Sequence, residues 1–220
     1  MSKHPSAAPS IRTRVRRIPE LANYERDSLY RILDAAYVCQ IAFNDGENTH
    51  CIPTACWRTD DYLYIHGSNG SRLTKALIAG AQASIAITHL DGLVLARSAF
   101  SHSMNYRSAV IYGLFEQIKG NAKKMHAMNA LMEKIARGRQ HEARPGNAKE
   151  LAATSVLRIS LDEAATKISN SGPVDKQEDI DLPVWAGVLP LMMLQGQPIP
   201  ADDNKSITTP GYVATWLKTS

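Results

Sequence analysis

Apolar and polar residues alternate along much of the first 160 positions, and that period of two predicts strands. The segments are Val38–Phe43, Cys51–Arg58, Tyr62–His66, Ala83–His89, Leu93–Arg97 and a long one over Tyr106–Ile118. Turn chemistry separates them: Asn44-Asp-Gly46, Thr59-Asp-Asp61 and Asp91-Gly92. A final central strand is predicted over Thr154–Ser160. Helical spacing appears in four places. Leu29, Ile32 and Leu33 recur within Glu25 to Ala36, and a short helix over about 71–79 ends near Gly80. Met125, Met128, Leu131, Met132 and Ile135 form one stripe of a helix over Ala122–Arg137, which predicts core packing. Asn147 is placed to cap a short helix through Ala152. Many strands, few helices and mostly hairpin links predict a mainly β fold, an antiparallel barrel.

Beyond residue 160 the pattern weakens. Gly172-Pro173 and a charged run precede an apolar island, Val184-Trp-Ala-Gly-Val-Leu-Pro-Leu191. Pro198, Pro200 and Pro210 then predict a tail lying over the surface. The expected organisation is a loose stretch over 1–11, one domain over 12–191 and a tail over 192–220.

Composition narrows the classes without choosing one. The chain has 220 residues, 44% hydrophobic and 21% charged, with a net charge of +4. That mild excess suits a phosphate-bearing small ligand as well as nucleic acid. Four arginines fall within Ile11–Arg17, but no aromatic residue interleaves with them. An arm packed on the fold is expected there, not a nucleic-acid contact. Cys39, Cys51 and Cys56 form no CxxC, and buried free thiols in a reducing compartment are expected. The arginines near the N-terminus are not followed by an apolar signal core, and no window is apolar enough to span a bilayer. These features predict a soluble cytoplasmic protein, with no membrane and no nucleic-acid partner.

One stretch carries the strongest chemistry. Tyr62-Leu-Tyr-Ile-His-Gly-Ser-Asn-Gly-Ser-Arg-Leu-Thr-Lys75 combines a strand, a glycine turn and a helix that opens with a cation. Such a junction offers unpaired N–H groups to an anion. Gly67 and Gly70 permit close backbone approach, Ser68 and Ser71 carry hydroxyls, and Arg72 suits phosphate oxygens. His66 stands at the mouth of that turn. Alternation puts it on one strand face with Tyr62 and Tyr64, as a candidate donor to cofactor or substrate. Pro53 removes a ladder donor within its strand, and Thr54 beside it is a candidate contact for a flat ring. Ser98 to Ser108 gathers serines, His102, Asn105 and Arg107 ahead of an apolar strand, polar groups that a ligand would satisfy. The sequence has no Gly-x-Ser-x-Gly, no His-Glu-x-x-His and no dinucleotide fingerprint after a strand.

As a set, Ile52-Pro-Thr54, Leu63-Tyr-Ile-His-Gly-Ser68, Ser71-Arg72, Asp91-Gly-Leu-Val-Leu-Ala-Arg-Ser98, Ser103-Met-Asn-Tyr-Arg-Ser108 with Gly113, and Val184-Trp-Ala-Gly-Val-Leu-Pro190 carry a resemblance. The chain resembles flavin-nucleotide-binding proteins of the pyridoxamine 5′-phosphate oxidase-like split-barrel superfamily, in the branch with nitroimidazole-reductase-type proteins. The resemblance implies a six-stranded antiparallel split β-barrel that forms a homodimer with FMN at the interface. It implies phosphate contacts from Ser71 and Arg72, with help from Arg107 and Ser108, and places Ser68, Ser103 and Asn105 among the cofactor-binding residues. It further implies ring contacts from Pro53 and Thr54, His66 near the flavin as the catalytic residue, and Trp185 covering the flavin from the partner chain. No metal site is implied.

No arginine follows Arg158, and Ser169 stands where related chains often carry an arginine. This argues against vitamin B6 oxidation and for an oxidoreductase acting on a small electron acceptor. Three rivals share the same pattern: a haem-binding or haem-degrading split barrel with His66 or His102 as axial ligand, a non-enzymatic flavin carrier or sensor, and an RNA-associated barrel using Arg12–Arg17.

Overall fold

The computed structural model describes residues 7–204 and 207–218. After a short unpredicted strand β1 (Ala22–Asn23), the alternating segments become β2 (Val38–Asn44), β3 (Thr49–Thr59), β4 (Tyr62–Ser68) and β5 (Ala83–Leu95). They are followed by β6 (Ser103–Gly113), β7 (Glu116–Gln117), β8 (Thr154–Ser160), β9 (Ala164–Ser169) and β10 (Gly187–Pro190). Every pairing is antiparallel, in the order β1-β9-β6-β5-β2-β3-β4-β8-β7, with β10 added to β5. Only residues 161–163 join β8, near one end of this order, to β9, near the other. So short a link forces the sheet to curl on itself, which makes the expected mainly β split barrel.

The odd and even positions of the strands part cleanly. Cys39, Ile41, Phe43, Leu63, Ile65, Ile85, Ile87, Ile111, Leu157 and Ile159 fill the interior. Helix α1 (Arg26–Ala35) buries Leu29, Ile32 and Leu33 against them, the face its spacing predicted. Helix α2 (Arg72–Ile78) follows β4, and α3 (Asn121–Ile135) covers part of the outside. There Ala127 and Leu131 pack on Trp57 and Val156, with Met128 beside them. The methionine stripe is thus partly core, but Ile135 at its end is exposed. Helix α4 (Ala148–Ala153) carries the expected Asn147 cap as a full capping box with Glu150. The tail carries α5 (Gly211–Ala214), which holds the surface through Tyr212 Oη donating to Glu142 at 2.7 Å, and then a 3-10 turn, Trp216–Lys218.

Five expectations need correction. Asp91-Gly92 is not a hairpin turn: β5 runs straight through it, and Asp91 is a bulge opposite β6. The polar loop is correspondingly shorter, since Ser103 already pairs with Val94. The long strand over 106–118 stops at Gly113, whose φ of 152° few residues but glycine adopt, and resumes as β7. Thr154–Ser160 is not the last strand, because β9 and β10 follow it. Of the three thiols, Cys39 and Cys56 are buried but Cys51 is exposed.

The arginine arm packs on its own chain. Thr13 is buried, Ser10 Oγ donates to Glu163 at 2.5 Å, and the Arg12 guanidinium lies 4.3 Å from the centre of the Tyr112 ring. Of the stretch expected to be loose, residues 1–6 lie outside the described residues.

Candidate functional site

The turn between β4 and α2 is shaped by one close contact. A Cβ on Gly67 would meet Thr74 Oγ1 at 2.9 Å, so a side chain there would collide with the first turn of α2. Thr74 is held in place by Ser71, the N-cap. Ser71 Oγ accepts the Thr74 N–H at 3.1 Å and donates its proton to Thr74 Oγ1 at 2.7 Å. The hydroxyl of Ser71 is therefore engaged in capping. Ser68 Oγ accepts the Gly70 N–H at 3.2 Å, which leaves its proton available. Asn69 ties the turn to the next layer. Its Nδ2 donates to Ala152 O at 2.6 Å, and its Oδ1 accepts from Ser155 Oγ at 2.7 Å.

The N–H groups of Arg72 and Leu73 precede the first intrahelical bond and form the open end of α2. Arg72 is exposed, and no carboxylate pairs with it among the described residues. A cation with no acidic neighbour in the first turn opposes the helix dipole by roughly 0.3–1 kcal/mol. A bound anion would reverse that sign.

His66 belongs to a different layer from the anion-facing groups. Its ring lies 6.0 Å from that of Trp57, which is itself stacked on Tyr64 at 5.7 Å. His66 Nδ1 and Trp57 Nε1 are both buried without a partner. Burial pushes the His66 imidazole below its ordinary pKa, so it is neutral at pH 7.

The residues of β6 divide by alternation. Ser103, Asn105 and Arg107 share one face with buried Ala109 and Ile111. Asn105 is buried, donating Nδ2 to Ser171 O at 3.0 Å and accepting from Ser169 Oγ. Arg107 is engaged by both Asp91 oxygens, at 2.8 Å each, and holds that carboxyl below the usual range. Ser108 faces the opposite way with Met104 and Tyr106, donating to Lys167 O at 3.3 Å. The polar residues of 103–108 therefore do not converge on one point within this chain.

Pro53 pairs with Gln40 on the outer face, continuous through Ala86 to Val110 of β6. Thr54 points inward with Cys56. Trp185 is 62% exposed and lies on Gly187, where a Cβ would meet its ring at 2.7 Å. Pro53 and Ser108 thus lie on the outer sheet face, with Trp185 exposed on Gly187. A cavity of about 1350 Å³ lies under the tail, bounded by Tyr37, the end of α3 and residues 195–217, and none of the expected site residues lines it. No group of three or more potential metal-ligating His, Cys, Asp or Glu residues occurs among the described residues. No helix among them is long and apolar enough to cross a membrane.

Sequence reasoning passed over the Asp91–Arg107 pair and the way β10 flanks β5. Asp91 looked like turn chemistry because Asp-Gly is the commonest hairpin signal. β10 is too short to show a period.

Comparison with known proteins fits this geometry. The family model for pyridoxamine 5′-phosphate oxidase matches residues 25–168. The structure of the flavocytochrome Anf3 from Azotobacter vinelandii is 34% identical, with a TM-score of 0.91 over 96% of this chain and 98% of that one. The FAD and heme binding protein from Mycobacterium smegmatis is 36% identical, with a TM-score of 0.85 over 90% and 97% of the two chains. A putative 5-nitroimidazole antibiotic resistance protein from Bacteroides thetaiotaomicron shares the fold, at 20% identity and a TM-score of 0.58, over 67% of this chain and 86% of that one. No protein of curated function matches the chain by sequence. From the barrel core through its flanking segments, the chain belongs to the pyridoxamine 5′-phosphate oxidase-like family.

Proposed function

We propose that this protein is a flavin-binding oxidoreductase that carries haem as a second cofactor and passes electrons to a small acceptor. The observation behind this reading is the nearly end-to-end match, at 34% and 36% identity, to a flavocytochrome and to a protein that binds FAD and haem. The matched regions extend beyond the family model, which ends at residue 168, so the tail and β10 are part of what is shared. The first expectation was FMN; the relatives favour the wider statement of a flavin nucleotide, with FAD as the leading form.

The chain fits the flavin's anionic end. The open N–H groups of Arg72 and Leu73, the free Ser68 proton and the unpaired Arg72 guanidinium would hold phosphate oxygens. Pro53 and Thr54 supply outer-face and inner-face positions along β3, and a flat ring would reach only the former within one chain. His66 stays neutral and would donate or accept one hydrogen bond beside the ring. The flavin supplies two-electron redox chemistry; the protein binds it, orients it and keeps water away.

A homodimer with the cofactor between subunits accounts for an outer sheet face on which Ala86 and Val38 are exposed beside half-buried Ala42 and Ala55. Light scattering of the purified protein tests it, and a monomer at micromolar concentration would remove it.

The decisive experiment is the absorbance spectrum of protein purified without added cofactor. A flavin band near about 450 nm together with a Soret band is the expected result. Release and chromatography of the flavin then separate FMN from FAD. Reduction by a nicotinamide donor, followed by loss of electrons to nitro compounds or oxygen, tests turnover. If neither chromophore is present and neither binds on titration, the reading fails.

A further inference from the structure

The arginine arm is fastened on one side and bare on the other. Thr13 is buried, Val15 N–H donates to Tyr24 Oη at 2.9 Å, and Lys167 Nζ donates to Arg17 O at 3.0 Å. Between these anchors Arg12, Arg14 and Arg16 alternate with Thr13 and Val15 and are exposed, with Arg17 exposed beside them. No carboxylate pairs with any of the four among the described residues. Fixed cations this close repel one another, and nothing in the chain offsets that cost. Ile11 and Ile18, at the two ends of the row, are exposed as well.

The same chain carries an opposite patch. Glu178, Asp179 and Asp181 lie on and just after the 3-10 turn Gln177–Asp179. Glu178 meets only Lys176, at 3.6 Å, and no cation pairs with Asp179 or Asp181 among the described residues. Exposed Ile180 and Leu182 stand among these acids. One patch is therefore cationic with bare isoleucines, the other anionic with bare Ile180 and Leu182, and each lacks what the other offers.

The two patches belong to opposite ends of β6. Arg12 rests 4.3 Å from the centre of the Tyr112 ring, next to the Gly113 end. The segment leading to the acidic turn is tied to the other end. Ser171 O accepts from Asn105 Nδ2 at 3.0 Å, and the buried Asp175 carboxylate accepts from Arg97 N–H at 2.7 Å and Arg97 Nη1 at 2.8 Å. Arg97 follows shortly after Val94, the residue paired with Ser103. A strand of 11 residues spans about 36 Å, so the ends of β6 are far apart in one chain. A two-fold axis crossing the outer face near the middle of β6 carries each end onto the other. Tyr112 lies on that outer face with Ser108 and Val110.

We infer that in the homodimer the Arg12–Arg17 arm of each protomer docks on the Glu178–Asp181 turn of the partner subunit, with Arg14 and Arg16 meeting the acids and the bare isoleucines packing beside them. The inference rests on the homodimer of the reading above and names the contact that sets its register. The contact is isologous and occurs twice, once on each side of the axis. Opposite charges bring the copies together in this orientation, and like charges reject a parallel one.

The test is sedimentation equilibrium of the purified full chain at low and high salt. The native protein is expected to dimerise, less tightly at high salt. Arg14→Glu with Arg16→Glu, and separately Asp179→Lys with Asp181→Lys, should each raise the dissociation constant at least about tenfold. An equimolar mixture of the two variants should recover a dimer as tight as the native one, because both contacts then join opposite charges. Arg14→Gln with Arg16→Gln removes the charge without reversing it and should weaken the dimer less. Arg137→Glu, an exposed arginine just beyond α3, should match the native protein. Circular dichroism confirms that each variant is folded before mixing.

If either folded charge-reversed variant alone dimerises as tightly as the native protein, the docking is overturned while the dimer stands. The same holds if both are weakened and their mixture stays monomeric. If the native chain is monomeric at micromolar concentration in low salt, the dimer reading fails and takes this contact with it.

Discussion

The turn between β4 and α2 and the three-stranded extension of β5, β6 and β10 solve opposite problems. In the turn, Asn69, Gly70, Ser71 and Thr74 all bond within the chain. What remains unsatisfied is one cation and two N–H groups, so the missing partner is small, anionic and definable from one chain. In the extension β5 is paired on both edges, by β6 and β10, but Met104, Leu93, Leu189 and Trp185 stay exposed. There the missing partner is an apolar surface. A polar vacancy specifies its ligand by direction, whereas an apolar one specifies only shape.

The largest effect that would break this contrast is at Arg72. Arg72→Ala should weaken flavin binding by about 1.5–3 kcal/mol, the range for a lost charge-assisted bond. Fluorescence titration reads this, and haem uptake should not change. Unchanged flavin affinity would remove Arg72 from the phosphate contacts. Next in size is Gly67→Ala. Its Cβ would press on Thr74 Oγ1 at 2.9 Å, and Thr74 is buried and bonded to the cap. Overpacking of this kind costs about 1–3 kcal/mol, read as a lower urea midpoint. No shift in the midpoint would show that α2 moves freely against β4.

Much of this arrangement was legible because the determinants are local. The β4–α2 junction shows itself through Gly67, Gly70 and Ser71 in one window, and the Asn147 cap through its residue type at the head of a short helix. The extension was not legible for a related reason. Its three strands come from residues 92–95, 103–105 and 187–190, and no local period links them. Asp91 misled because its role depends on a pairing partner, Arg107, 16 residues away. The division of Asn105 and Arg107 from Ser108 needed only the period of two, but it became visible once β6 was known to start at Ser103.

A smaller effect sharpens the boundary between the regions. Arg107 sits on the wired face, held by Asp91, and both side chains are more than a third exposed in this structure. Arg107→Ala should cost at most about 1 kcal/mol, since solvent screens such pairs. Flavin affinity should stay within about twofold if the guanidinium serves the Asp91 bulge alone. A tenfold loss would place Arg107 among the phosphate contacts that the family resemblance implies.

The smallest effect concerns His66 and appears only as a slope. Burial holds its folded pKa below the unfolded value of about 6.5, so the unfolded chain binds the proton first as pH falls. Stability is fully present above that unfolded value. It declines as pH drops toward the folded pKa, and below it the contribution is flat. His66→Gln cannot take up this proton, so its melting temperature should fall less between pH 7.5 and pH 5.5 than that of the native protein. Thermal melts without cofactor measure the difference directly. An equal fall in both proteins would mean that the imidazole reaches water freely, and the walled-in Nδ1 beside Trp57 would no longer set its protonation. A bound flavin should steepen the native slope if the neutral ring is the form that meets it, which ties this buried layer to the open turn above it.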